Sequence, residues 1–66
     1  MRIRLNGEER ELPDGISVAN LILQLDLRPE QVAVERNGEL MRRGEHAGTR
    51  LQDGDVVEVV TLVGGG

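Results

Sequence analysis

The sequence predicts an α+β domain in which one main amphipathic helix packs on one face of a mixed sheet of four to five strands. Three observations support this prediction. One segment has aliphatic residues at helical spacing, short segments on both sides of it alternate as strands do, and the longest β-branched run comes last. A length of 66 residues allows one domain with a small core.

The first two predicted strands form a hairpin. Over residues 1–6, aliphatic side chains alternate with arginines, which is the period-2 pattern of a half-buried strand. Asn6-Gly7 follows, and both residue types tolerate the positive φ of a tight hairpin turn. Residues 9–12 are predicted as the short return strand, which ends at the turn Pro13-Asp14-Gly15.

The helix is predicted to begin after Ser17, because a serine hydroxyl is a favoured N-cap. Leu23 lies off the apolar stripe and is expected to be partly exposed. Pro29 disfavours the helical conformation of the residue before it, so the helix is expected to end near Asp26 or Leu27. The aliphatic stripe has the spacing i, i+3, i+4, i+7 and consists of Val18, Leu21, Ile22 and Leu25.

A second hairpin is predicted after the helix. Residues 32–36 and 39–42 have strand-like composition and flank Asn37-Gly38, which repeats the hairpin signal. Residues 43–50 are polar and are predicted as a loop, with Leu51 as the apolar side chain packed beneath it.

The longest predicted strand, residues 56–63, follows the turn Asp53-Gly54. Pairing this strand with the first one in the sheet centre, with the helix as a right-handed crossover, gives a β-grasp, or ubiquitin-like, roll. The chain is therefore divided into a β-grasp domain over residues 1–63 and a flexible C-terminal glycine tail over residues 64–66.

Composition argues against several classes of function. The net charge is −4 and there is no aromatic residue, so neither a basic footprint nor a stacking platform for nucleic acid is present. An acidic surface favours a basic protein partner instead. No apolar run approaches the length of a membrane span, and the expected location is the cytoplasm.

Metal and acid–base chemistry are also not expected. The sequence has no cysteine and one histidine, His46, for which a solvated surface position in a polar loop is predicted. Asp53-Gly54-Asp55 lacks the ligand spacing of a calcium loop and is explained by turn chemistry. No phosphate-loop or nucleophile-elbow motif occurs.

The longest strand has two different faces. Val57 and Val59 are assigned to the helix side. Contiguous exposed aliphatic groups usually mark a partner surface, although a small domain can also have an imperfectly polar open face. The side chains predicted to contact a partner are Val56, Glu58, Val60 and Leu62.

The remaining reactive group is the carboxylate of Gly66. A carboxylate is a poor acyl donor at neutral pH and requires activation, most simply as an acyl adenylate, by groups that a partner supplies. Gly64 and Gly65 have no side chains and are expected to thread into a narrow partner channel. The chain is then a protein cosubstrate and not an enzyme. The alternative interpretation of the glycines is a frayed terminus or a linker remnant.

Three features together resemble one known family. The stretch VERNGE over Val34–Glu39, the DGD turn over Asp53–Asp55 and the ending VGGG over Val63–Gly66 are similar to the ThiS family of thiamine-biosynthesis sulfur carriers. The resemblance implies that an E1-like adenylyltransferase of ThiF type adenylates Gly66 with Mg-ATP. A cysteine desulfurase then supplies the sulfur of a C-terminal thiocarboxylate, and a thiazole synthase of ThiG type transfers it to the thiazole of thiamine. No cofactor bound to the chain itself is implied.

Other functions remain open from the sequence. Carriers of this fold also serve tRNA thiolation, molybdopterin synthesis and cysteine synthesis. A ubiquitin-like protein modifier has the same kind of tail, although the absence of lysine excludes lysine-linked chains of this protein. A plain interaction module would use the open face without the glycines.

Overall fold

The computed structural model describes residues 1–62, in which five strands form one mixed sheet with one α-helix on one face. The sheet order is β2-β1-β5-β3-β4, with β1 and β5 parallel and the other neighbouring pairs antiparallel. The predicted α+β arrangement, with the first and last strands paired in the centre, is confirmed. The elements are β1 (Arg2–Leu5), β2 (Glu8–Glu11), α1 (Val18–Gln24), β3 (Val32–Arg36), β4 (Glu39–Met41) and β5 (Val56–Thr61).

Both hairpins turn at an Asn-Gly pair, as the sequence predicts. Asn6 and Gly7 have φ of 51° and 83°, and Asn37 and Gly38 have φ of 52° and 85°. Positive φ at both central residues is the requirement of a two-residue hairpin turn whose twist matches the strands. Because the first turn has only two residues, Leu5 pairs with Glu8, and β2 begins one residue earlier than predicted.

Helix α1 is capped at both ends. The Ser17 hydroxyl accepts the Asn20 N–H at 3.1 Å, which confirms the predicted N-cap. The helix ends at Gln24, slightly before the predicted end, because Asp26 takes the left-handed conformation with φ 60°. The Asp26 N–H donates to the Leu23 carbonyl and the Leu27 N–H to the Ile22 carbonyl, as in a Schellman motif.

The core lies between α1 and the facing side of the sheet. The predicted stripe is buried except for Leu25, which packs at its margin, and Leu23 is 61% exposed as expected. Leu51 is buried as predicted. Across residues 1–62, no helix is long and apolar enough to cross a membrane. The buried apolar side chains are Ile3, Leu5, Leu12, Ile16, Val18, Leu21, Ile22, Val32, Val34, Leu51, Val57 and Val59.

The segment predicted as a polar loop is packed against the start of α1, and the prediction for His46 is wrong. His46 is only 3% exposed and follows a 3₁₀ turn over Arg43–Glu45. The Ala19 N–H donates to the His46 carbonyl at 3.0 Å, and the Val18 N–H donates to the Thr49 carbonyl at 2.9 Å. These bonds satisfy helix N–H groups that have no partner within α1. They hold residues 46–49 against the start of the helix, where the His46 side chain is buried.

Candidate partner-binding site

The side of the sheet opposite α1, called the open face below, carries the side chains predicted to contact a partner. Along β5, Val56 and Val60 are 45% and 56% exposed and alternate with buried valines, and Glu58 between them is also exposed. Leu62, which follows the strand, is 54% exposed. The exposure of these side chains is confirmed, while their contact with a partner stays a prediction.

The apolar part of the open face extends beyond β5. Ala33 in β3 pairs with Val60, and Glu35 pairs with Glu58. On the other side of β3, Leu40 pairs with Glu35 and is 70% exposed. Directly opposed residues point to the same face of a sheet, so Leu40 belongs to the open face. The exposed surface therefore spans three strands.

Leu40 was not among the residues predicted from the sequence to lie on this surface. A usable signal was present, because a two-residue turn at Asn37-Gly38 sets Arg36 opposite Glu39 and hence Glu35 opposite Leu40. Once β3 is assigned with Val34 inward, that register places Leu40 outward.

Two asparagines fix β5 from both sides. The Asn6 Oδ1 accepts the Val59 N–H at 2.8 Å, and its Nδ2 donates to the Val59 carbonyl at 3.2 Å. At the start of the strand, the Asn37 Oδ1 accepts the Val56 N–H at 2.9 Å. Both turns thus supply hydrogen bonds to the strand that precedes the glycines, and β5 is held at its start and at its middle.

Asp55, immediately before β5, is buried within a third set of polar contacts. Its Oδ2 accepts Arg36 Nε at 2.9 Å and the Gln52 N–H at 2.8 Å, and its Oδ1 accepts Asn37 Nδ2 at 3.1 Å. Burial by itself would raise the pKa of the Asp55 carboxyl, but these hydrogen bonds and the Arg36 charge outweigh burial and hold the pKa below its usual value. The DGD turn is therefore a structural support of β5.

The end of β5 is also tied to the sheet. The Leu62 N–H donates to the Gln31 carbonyl at 2.7 Å, so the last described residue is held beside the 3₁₀ turn Pro29–Gln31 that precedes β3. The predicted site residues Gly64, Gly65 and Gly66 follow in sequence and lie outside the described residues.

The part of the chain that the structure describes has no metal-binding cluster, and its one histidine is buried. Within residues 1–62, no group of three or more His, Asp or Glu side chains is arranged to hold a metal ion. His46 is buried, and neither ring nitrogen has a hydrogen-bond partner in this part of the chain. Desolvation lowers the pKa of His46, and the nearby Arg43 charge lowers it further. The Met41 backbone and the Glu45 charge act in the opposite direction but do not cancel the shift. His46 is therefore not available to the open face as an acid–base group.

Comparisons with known proteins agree on one family. A family model described as the ThiS family matches residues 3–66. The sulfur carrier protein ThiS of Bacillus subtilis is 34% identical over 65 residues, which cover 97% of this chain and 98% of that protein. A crystal structure of the thiamine biosynthesis protein ThiS from Geobacter metallireducens superposes with a TM-score of 0.85 at 33% identity, covering 100% of both chains.

A second kind of relative is much longer than this chain. The thiazole synthase of Magnetococcus marinus is 42% identical over 66 residues, which are 100% of this chain and 20% of that protein. The thiazole synthase of Paramagnetospirillum magneticum is 38% identical over 66 residues, which are again 100% of this chain and 20% of that protein. The chain therefore spans about a fifth of the length of these two relatives.

Proposed function

Because the chain belongs to the ThiS family, we propose that it is a sulfur carrier of thiamine biosynthesis, a protein cosubstrate and not an enzyme. The observation that carries the proposal is the family match, which extends through residue 66 and so includes the glycines. The geometry supports it, because β5 is fixed on both sides and leads towards those glycines. A rigid strand defines where an attached segment begins, which is what delivery of a reactive end requires.

The proposed chemistry takes place at Gly66. A carboxylate oxygen of Gly66 attacks the α-phosphorus of ATP, and the bond to pyrophosphate breaks to give an acyl adenylate. A persulfide sulfur then attacks the acyl carbon, and AMP leaves with the electrons of its bond. A second thiol reduces the resulting acyl disulfide and releases the thiocarboxylate. Glycine suits these steps because no side chain shields the carbonyl and the narrow backbone fits a narrow channel.

The proposed partners follow from this sequence of steps. An E1-like adenylyltransferase of ThiF type performs the activation with Mg-ATP, and a cysteine desulfurase supplies the persulfide in the cytoplasm. A thiazole synthase of ThiG type accepts the sulfur. The last partner has specific support, since two proteins named thiazole synthase contain a region similar to the whole of this chain. Within one polypeptide, donor and acceptor have a high effective concentration.

We propose that the partner enzyme docks on the open face. Val56, Val60 and Leu62 are exposed aliphatic side chains on or next to the strand that precedes the glycines. An enzyme that binds these side chains would hold the start of the tail at a fixed distance from its own nucleotide site. Gly64 and Gly65 would then cross the remaining distance.

Intact mass tests the proposal. The 66-residue chain is incubated with Mg-ATP, a ThiF-type adenylyltransferase, a cysteine desulfurase with cysteine, and a thiol reductant. We expect a mass increase equal to the difference between sulfur and oxygen, absent when ATP is omitted or when Gly66 is deleted. An unchanged mass with enzymes that modify the Bacillus subtilis ThiS protein in parallel would contradict the proposal.

The pathway is tested by the acceptor. The thiocarboxylate form is mixed with a ThiG-type thiazole synthase and its small-molecule substrates, and the thiazole product is measured. We expect product in proportion to the thiocarboxylate consumed. A thiocarboxylate that forms normally but is not used by thiazole synthase would assign the carrier to another thiolation pathway.

A further inference from the structure

The open face has two carboxylates directly opposite each other at its centre. Glu35 in β3 and Glu58 in β5 are cross-strand partners, and both are exposed. Side chains in this relation have Cβ atoms about 5 Å apart, and like charges there destabilise the sheet. The presence of this pair is therefore not explained by the stability of the free domain.

No basic group of residues 1–62 forms an ion pair with either carboxylate. Arg36, next to Glu35 in sequence, bonds Asp55 on its Nε, and the Arg4 guanidinium donates to the Gly7 carbonyl at 3.4 Å. At the other end of the same face, by contrast, Arg2 lies 3.1 Å from Glu11. The carboxylates of Glu9 and Glu11 in β2 thus have an arginine partner within the domain, whereas Glu35 and Glu58 at the centre have none among residues 1–62.

Exposed aliphatic side chains lie around the two carboxylates. Along β5, Val56 and Val60 lie on either side of Glu58 on the same face. In β4, Leu40 is the cross-strand partner of Glu35 on the side away from Glu58. A protein that covers these side chains also removes water from both carboxylates, which is costly unless it brings a cation. A second copy of this chain would bring two more carboxylates to the same place, which disfavours self-association.

We infer that the open face binds a partner protein through an arginine whose guanidinium lies between Glu35 and Glu58, surrounded by aliphatic contacts. A guanidinium presents several N–H donors in one plane and bonds two carboxylates more completely than an ammonium group does. This inference rests on the proposed function for the identity of the partner, which is the ThiF-type adenylyltransferase. The carboxylate pair then lowers the stability of the free chain and contributes affinity in the complex.

The test compares the E35Q/E58Q double variant with the control E8Q. Glu8 is exposed on the edge strand β2 and pairs with Leu5, whose side chain points into the core, so Glu8 lies on the α1 side of the sheet. The two measurements are the melting temperature of the free chain and the Kd for the adenylyltransferase at two salt concentrations. We expect the double variant to melt about 1 to 5 °C higher than the original chain. We expect it to bind about tenfold more weakly, with a smaller dependence on salt.

The outcomes separate this inference from the proposed function. If the original chain is bound and adenylated but the double variant binds equally well or better, the inference is overturned and the proposed function stands. If the adenylyltransferase does not bind the original chain, the proposed function and the partner named here both fail. Self-association of the free chain that Leu40→Asp abolishes, measured by sedimentation, would assign the face to a second copy and also overturn the inference.

Discussion

The side chain of Asn6 bonds both backbone groups of Val59, a residue 53 positions later in the sequence. Asn6 has left-handed backbone geometry with φ 51°, and this conformation turns its amide towards β5, the parallel neighbour of β1. The amide therefore provides the donor and the acceptor that an additional residue of a strand would provide. A residue predicted only as half of a hairpin turn also positions the strand that precedes the proposed reactive end.

We expect Asn6→Asp to lower the free energy of unfolding by about 1–3 kcal/mol, because the Val59 carbonyl loses its donor while the turn conformation remains accessible. Urea unfolding monitored by circular dichroism measures this change. Asn20→Asp introduces the same chemical change at an exposed position in the first turn of α1, where negative charge is favourable, and should cause no loss. Equal stability of the two variants would contradict the structural role of the Asn6 amide.

Asp55→Asn should be similarly damaging, by about 1–3 kcal/mol of unfolding free energy. The Asp55 carboxylate accepts from three donors, so an amide NH₂ group in its place must face at least one of them. The matched control is Asp26→Asn, since Asp26 is exposed and asparagine tolerates its φ of 60°. Thermal melts of both variants at pH 7 provide the comparison, and an Asp55→Asn variant as stable as the control would show that the network contributes little.

The sequence predicted features that depend on local chemistry and missed those that depend on packing between distant segments. The Asn-Gly turns, the Ser17 cap and the exposure of Leu23 follow from neighbouring residues and agree with the structure. The burial of His46 does not follow from its polar surroundings, because backbone bonds to α1 carry it inward. The exposure of Leu40 required the register of a hairpin, not only its existence.

The open face could be predicted only in part for the same reason. Alternation along one strand identifies Val56, Glu58 and Val60 without knowledge of the neighbours. The opposition of Glu35 to Glu58 is a relation between two strands and depends on their pairing. The reactive role of the glycines came from the sequence and the resemblance, and it stays a prediction, since residues 64–66 lie beyond those that the structure describes.

Stability should fall as pH decreases through the range in which free histidine titrates. His46 is buried with a lowered pKa in the folded chain, whereas its unfolded pKa is about 6.5. Below that value the unfolded chain binds more protons than the folded chain does. The contribution of neutral His46 to the free energy of unfolding is therefore complete above about pH 7, and it declines on acidification by at most about 1.4 kcal/mol per pH unit. Thermal melts at pH 7.5 and 5.5 measure the effect.

His46→Leu should remove most of this pH dependence, because leucine fills the buried site without a titratable group. The hydrogen bond to Asp14 raises the pKa of the Met1 amino group above this window, so the amino group stays charged throughout. The stability that Met1 contributes is present at both pH values and is lost only at higher pH. A variant whose melting temperature declines between pH 7.5 and 5.5 as much as that of the original chain would exclude His46 as the cause.

Val60→Asp should impair adenylation while leaving the fold intact. Val60 is 56% exposed at the centre of the aliphatic surface on β5. In the complex, an additional carboxylate at this position would lose its water without gaining a cation of its own, which is costly. We expect kcat/KM for pyrophosphate release by the ThiF-type enzyme to fall at least about tenfold, mainly through KM. Leu23→Asp places the same charge on an equally exposed apolar position of α1, away from the open face, and should be adenylated at the normal rate. Because neither side chain takes part in the reaction at Gly66, a loss in the Val60 variant alone would identify the open face as the docking surface. A normal rate for Val60→Asp would assign docking elsewhere.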